Sequence, residues 1–160
     1  MVPSDYKDFL VAVVTSSATF IGLLFVAMTL ITDKRSKSRK QVVTEKIMAE
    51  ASYIALLNLF FVSIVALLPD TQLSYIMIIM GVIGLNNSLR LFRSGLRDGV
   101  SGGILGISTL IYAVQLVYGI YLLTHSSQSI NETIFLIVIF TLFGSGLGRA
   151  WELTGIHNQG

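Results

Sequence analysis

A chain of 160 residues with 53% hydrophobic and 12% charged side chains lacks the material for the polar surface of a soluble domain, which is nearer a quarter charged. Its 11 basic and 9 acidic residues fall in a few short stretches with long apolar runs between them, so a bilayer is the expected solvent. The absence of cysteine excludes disulfides, thiol catalysis and thiolate metal sites, and the length leaves no room for a soluble catalytic domain beside a membrane bundle.

A spanning helix needs about 20 largely apolar residues, and five stretches meet or approach that. The first covers about 9–32, with Ser4 and Asp5 as candidate N-caps. It is followed, and not preceded, by the basic run KRSKSRK, as in an uncleaved signal anchor. The second covers about 48–68 and stops at the turn-forming pair Pro69-Asp70. The third covers about 73–91, the fourth about 104–123 after the break GVSGG, and the fifth about 133–153 after the polar loop HSSQSINE. The expected fold is an all-α polytopic bundle, one transmembrane domain over 1–160, whose short connections make successive helices antiparallel neighbours.

The charges orient it. With the 34–46 loop in the cytoplasm, five alternating spans place every basic residue except Lys7 inside, as the positive-inside rule requires. The N-terminus is then outside and the C-terminus in the cytoplasm. The pI of 9.0 is a topology signal on this reading, and nucleic acid is not expected as a partner. Asn131-Glu132-Thr133 matches a glycosylation sequon, but it lies in a very short loop at the membrane surface and is read as a chance match.

The first span carries four hydroxyl residues in VVTSSATFIG. Thr15, Ala18, Thr19, Gly22, Val26 and Thr29 recur at three- and four-residue steps and share one helix face, with Ser16 beside it. That stripe suits a polar pathway or close packing, for which Ala18 and Gly22 supply a small-xxx-small pair. Asn58, Asn86, Asn87 and Gln115 also lie within spans. An unpaired amide facing lipid costs several kcal/mol, so these side chains are expected to point inward, to one another or to water.

Among ionisable groups, Glu50 has Lys46 one turn earlier, and Arg149 and Glu152 stand three residues apart as candidates for a local pair at the interface. Gly144 and Gly148 form a GxxxG pair suited to close helix contact, while Tyr118, Tyr121 and Trp151 suit an aromatic belt. Lys34, Arg35, Lys37, Arg39 and Lys40 are placed to meet anionic headgroups. His125 and His157 fall on opposite sides of the membrane, which excludes a two-histidine metal site within one subunit. No Walker loop, HExxH or nucleophile elbow occurs. Neither an enzyme, a cofactor nor a metal is expected.

The stretch 6–31, YKDFLVAVVTSSATFIGLLFVAMTLI, resembles the opening of an uncharacterised family of small bacterial multi-spanning membrane proteins. There an aromatic-rich start leads into a small-residue patch and a GL[LI]FVA-type run, here Gly22 to Ala27. The ending, with Arg149, Trp151, Leu153 and Gly155, is similar to that family's close. Some members are labelled modulators of a membrane-bound AAA protease. The resemblance implies a bacterial cytoplasmic membrane and carries no catalytic residue. Two functions are expected from these features: an oligomeric ion channel or pore lined by the first-helix stripe with Asn58, Asn86 and Gln115, or a structural or regulatory protein acting through helix contacts. The expected partners are the lipid bilayer, further copies of the chain and another membrane protein.

Overall fold

The computed structural model describes residues 6–31, 39–68, 73–97, 102–125 and 132–155. They form five α-helices: α1 (Lys7–Ile31), α2 (Arg39–Leu67), α3 (Leu73–Arg97), α4 (Gly102–Thr124) and α5 (Glu132–Gly155). All five are long and apolar enough to cross a membrane, and the described residues contain no strand. The protein is an all-α bundle of five spanning helices.

The largest departure from the sequence reading is the start of α2, which lies at Arg39 and not near 48. Charged residues end a hydropathy window without ending a helix. The 29 residues of α2 extend about 44 Å at 1.5 Å per residue, against about 30 Å of hydrocarbon. Its first turns are held by their own apolar face, with Val43, Ile47 and Ala51 packed against Leu91 and Phe92 of α3.

α2 is the hub of the bundle, packing against α1, α3 and α5. Of its spanning window 44% is buried, compared with 17% for α1. The main core joins Leu59 and Val62 of α2 to Met77 of α3, Tyr112 of α4, and Val138, Ile139 and Leu142 of α5. The first four helices pair in sequence as expected, but α5 packs mainly on α2 and only lightly on α4. Gly146 permits this approach, since a Cβ there would stand 3.0 Å from the Leu56 side chain.

The most extensive helix contact is between α3 and α4, an antiparallel pair set by small residues. Gly81 faces Leu116, Gly84 faces Tyr112, and Gly119 faces Met77 and Ile78. One turn beyond Gly84, the Ser88 and Thr109 hydroxyls hydrogen-bond at 2.9 Å. A Cβ at Gly84 would overlap the Tyr112 ring, and one at Gly81 would lie 3.2 Å from Leu116 main-chain atoms. Backbones come this close only where side chains are absent.

Large apolar side chains such as Leu23, Phe25, Leu110, Val117 and Phe140 cover the outside. For a soluble protein such a surface would be an aggregation hazard, but for spanning helices it is the lipid-facing side. α1 reaches α5 through two ring contacts, Phe9 with Phe140 and Phe20 with Phe143.

Candidate functional site

Asn58 of α2 and Gln115 of α4, both fully buried, meet at the middle of the bundle. The Asn58 Nδ2 donates to Gln115 Oε1 at 3.1 Å and to the Met80 carbonyl at 3.1 Å. The Gln115 Nε2 donates to Asn58 Oδ1 at 3.0 Å and to the Met77 carbonyl at 3.4 Å. All four amide N–H groups are used, and each side-chain oxygen accepts one bond. The pair ties α2, α3 and α4 together with no amide N–H left over.

The same helices enclose a second polar group. Gly84, Ser88, Ser108, Tyr112 and Arg149 line a cavity of about 10 Å³, room for on the order of one water molecule. Arg149 is only 3% exposed, enclosed by the bundle and not on its outer surface. The Gly146 contact with Leu56 of α2, less than one turn before Arg149, brings this part of α5 against the bundle. The side chain of Glu152 lies outside the described residues, as does any pairing between it and Arg149. Nearby on α2, the Ser52 hydroxyl is buried with no hydrogen-bond partner among the described residues.

The first-helix stripe lies elsewhere. Leu10, Val13, Ser17 and Leu24 are the buried face of α1, whereas Thr15, Ala18, Thr19, Gly22, Val26 and Thr29 are exposed on the opposite side and Ser16 is half-buried. Thr15 and Thr19 donate to the carbonyls of Val11 and Thr15, each at 2.9 Å, and Thr29 donates to Val26 at 2.7 Å. Hydroxyl donors bonded within their own helix make the stripe compatible with lipid or with another helix. Gly22, Gly144 and Gly148 have no neighbour within 4 Å of a would-be Cβ. The glycines that pack within the subunit are instead Gly81, Gly84, Gly119 and Gly146.

The remaining candidates are dispersed. Asn86 is exposed on the outer face of α3, contrary to the inward orientation expected of a membrane amide, and Asn87 is half-buried. Neither amide has a hydrogen-bond partner among the described residues. Glu50 stands 3.9 Å from Lys46, an exposed pair that contributes about 0.3–0.5 kcal/mol. Tyr118 is buried and not at an aromatic belt, whereas Trp151 is 79% exposed and Tyr121 stacks on His125 with centroids 4.6 Å apart. Lys34, Arg35 and Lys37 lie outside the described residues, as do the side chains of Arg39 and Lys40.

The structure therefore brings Asn58 to Gln115 and separates both from the α1 stripe, from Asn86 and from Glu50. It adds Ser88, Ser108, Tyr112 and buried Glu45, which sequence patterning does not single out. The available signal was the run Met77, Gly81, Gly84 and Ser88 at three- and four-residue steps, a small-residue face that predicts a close neighbour. Comparison with family models, with curated proteins and with solved structures yields no match.

Proposed function

We propose that this small integral membrane protein is a non-enzymatic structural or regulatory component that docks against another transmembrane helix through the outward face of α1. The observation that carries this reading is the unfilled face itself. Gly22 meets nothing within the subunit, as do Gly106, Gly144 and Gly148, but Gly22 stands on the helix with the smallest buried share. Ala18 and Gly22 leave room for a partner backbone, and the self-bonded threonines carry no desolvation penalty for their hydroxyl donors when it arrives.

The distribution of basic residues supports an external N-terminus and a cytoplasmic C-terminus. The likeness of residues 6–31 to a bacterial family, some of whose members are labelled protease modulators, supports a protein partner and a bacterial cytoplasmic membrane. The test is the mass of the complex extracted from native membranes in mild detergent. Gly22→Leu reduces it to that of the monomer while helix content is unchanged. A complex of unchanged mass would remove α1 from the interface.

A second reading is an oligomeric pore whose axis is lined by α1. It is motivated by hydroxyl oxygens at Thr15, Thr19 and Thr29 along the height of the outward face. Conduction would belong to the assembly, because the amide pair inside each subunit is fully buried and closed on itself. Purified protein in liposomes that leaves an imposed ion gradient intact across a range of voltages and pH would contradict it.

A further inference from the structure

The outer face of α3 changes character along its length. Tyr75, Ile79, Val82 and Ile83 are exposed and apolar in the half nearer Leu73. From Asn86 onward the same face carries Asn86, Arg90 and Arg93, all exposed, at helical steps of four and three residues that stack them in one row. None of the three has a hydrogen-bond or ion-pair partner among the described residues. By length and composition the apolar span of α3 runs to Arg93, so the row lies at that end of the span, with Asn86 about 10 Å further into it than Arg93 at 1.5 Å per residue. An amide at that depth is not left unpaired without cost.

We propose that Asn86, Arg90 and Arg93 form a binding strip for an anionic phospholipid in the leaflet at the Arg93 end of α3. Two guanidiniums without a carboxylate in the row match a phosphate, to which arginine can present parallel N–H donors. Below the phosphate of such a lipid stand its glycerol ester carbonyls, which accept hydrogen bonds. Asn86 is about 6 Å below Arg90, comparable to the about 5–8 Å per leaflet that headgroups and interface together occupy. With Arg90 on the phosphate, the amide is within reach of the ester carbonyls at the inner edge of that region. A soluble anion would satisfy the arginines alone and leave Asn86 in hydrocarbon. A second copy meeting this row face to face would set like charges against each other. The strip lies on α3 and does not depend on docking through α1.

The full-length protein, purified from native membranes and delipidated, is reconstituted in nanodiscs of mixed phosphatidylglycerol and phosphatidylcholine, and the lipid it retains is measured by native mass spectrometry. Phosphatidylglycerol is retained in preference to phosphatidylcholine. Arg90→Gln and Arg93→Gln each lower that retention about five-fold, the factor corresponding to about 1 kcal/mol per basic side chain at an anionic surface. Asn86→Leu, which changes no charge, also lowers it, and Arg90→Lys weakens it because the ammonium lacks the paired donors. Circular dichroism and thermal unfolding of each variant check that the bundle is intact, with Asn86→Ala in reserve should Leu disturb it. Equal retention of the two lipids overturns the proposal. So does an unchanged preference in both Asn86→Leu and Arg90→Lys, since diffuse attraction to the surface would then suffice. Displacement of the lipid by inorganic phosphate would mark a soluble-anion site and overturn it as well.

Discussion

Asn58 and Gln115 face each other as a closed pair of carboxamides, each nitrogen donating to the other's oxygen at 3.1 and 3.0 Å. Their second N–H groups reach main-chain carbonyls of α3, so one pair of side chains fixes the relative positions of three helices. Lipid cannot compete for these bonds as water would, although unfolded chains within a membrane find substitute partners and interhelical bonds there contribute about 0.6 to 1.7 kcal/mol each.

Removing one amide strands the other. Asn58→Leu or Gln115→Leu alone is expected to destabilise the bundle by about 1–3 kcal/mol. The double variant is expected to lose less than the sum, because no buried amide remains unpaired. Equilibrium unfolding in detergent measures all three, and strict additivity would contradict the pairing.

Glycine substitutions should sort by what surrounds them. Gly84→Ala places a methyl group into the Tyr112 ring and is expected to cost about 1–3 kcal/mol. Gly144→Ala meets open space and gains helix propensity, so it is expected to be neutral or stabilising by up to about 1 kcal/mol. Thermal unfolding of the two variants side by side decides it; a loss at Gly144 as large as that at Gly84 would place a hidden neighbour on α5.

The exposed Lys46–Glu50 pair should matter little. Glu50→Gln is expected to change unfolding free energy by less than about 0.5 kcal/mol. Equilibrium unfolding of the variant in detergent measures it, and a loss above about 1 kcal/mol would mean more than an exposed ion pair at this position.

Much of this architecture was legible in the sequence because a bilayer imposes a length and a polarity on each helix. The five spans follow from that constraint alone. The start of α2 was not legible, since Glu45 and Lys46 end a hydropathy window while the helix continues over the apolar face Val43, Ile47 and Ala51. The inward positions of Asn58 and Gln115 followed from the cost of unpaired amides. The same argument failed for Asn86, whose outward direction depends on the α3 face being fixed by Gly81 and Gly84. Arg149 illustrates the limit most clearly. Its depth along the helix marks it as shallow, and only the packing of α5 on α2 through Gly146 encloses it. Likewise, a small-residue pattern announces that backbones can approach but not which helix does so: Gly84 meets Tyr112, whereas Gly22 and Gly148 meet nothing within the subunit.

Docking of another helix on the outward face of α1 is open to direct test, because the absence of native cysteine gives a clean background for crosslinking. Single substitutions Thr15→Cys, Thr19→Cys and Gly22→Cys on the exposed face, and Leu10→Cys and Val13→Cys on the buried face, are introduced one at a time and crosslinked in native membranes. Higher-mass adducts are expected from positions 15, 19 and 22 and none from 10 and 13. Adducts absent from all three exposed positions, or formed equally from both faces, would contradict docking on this face.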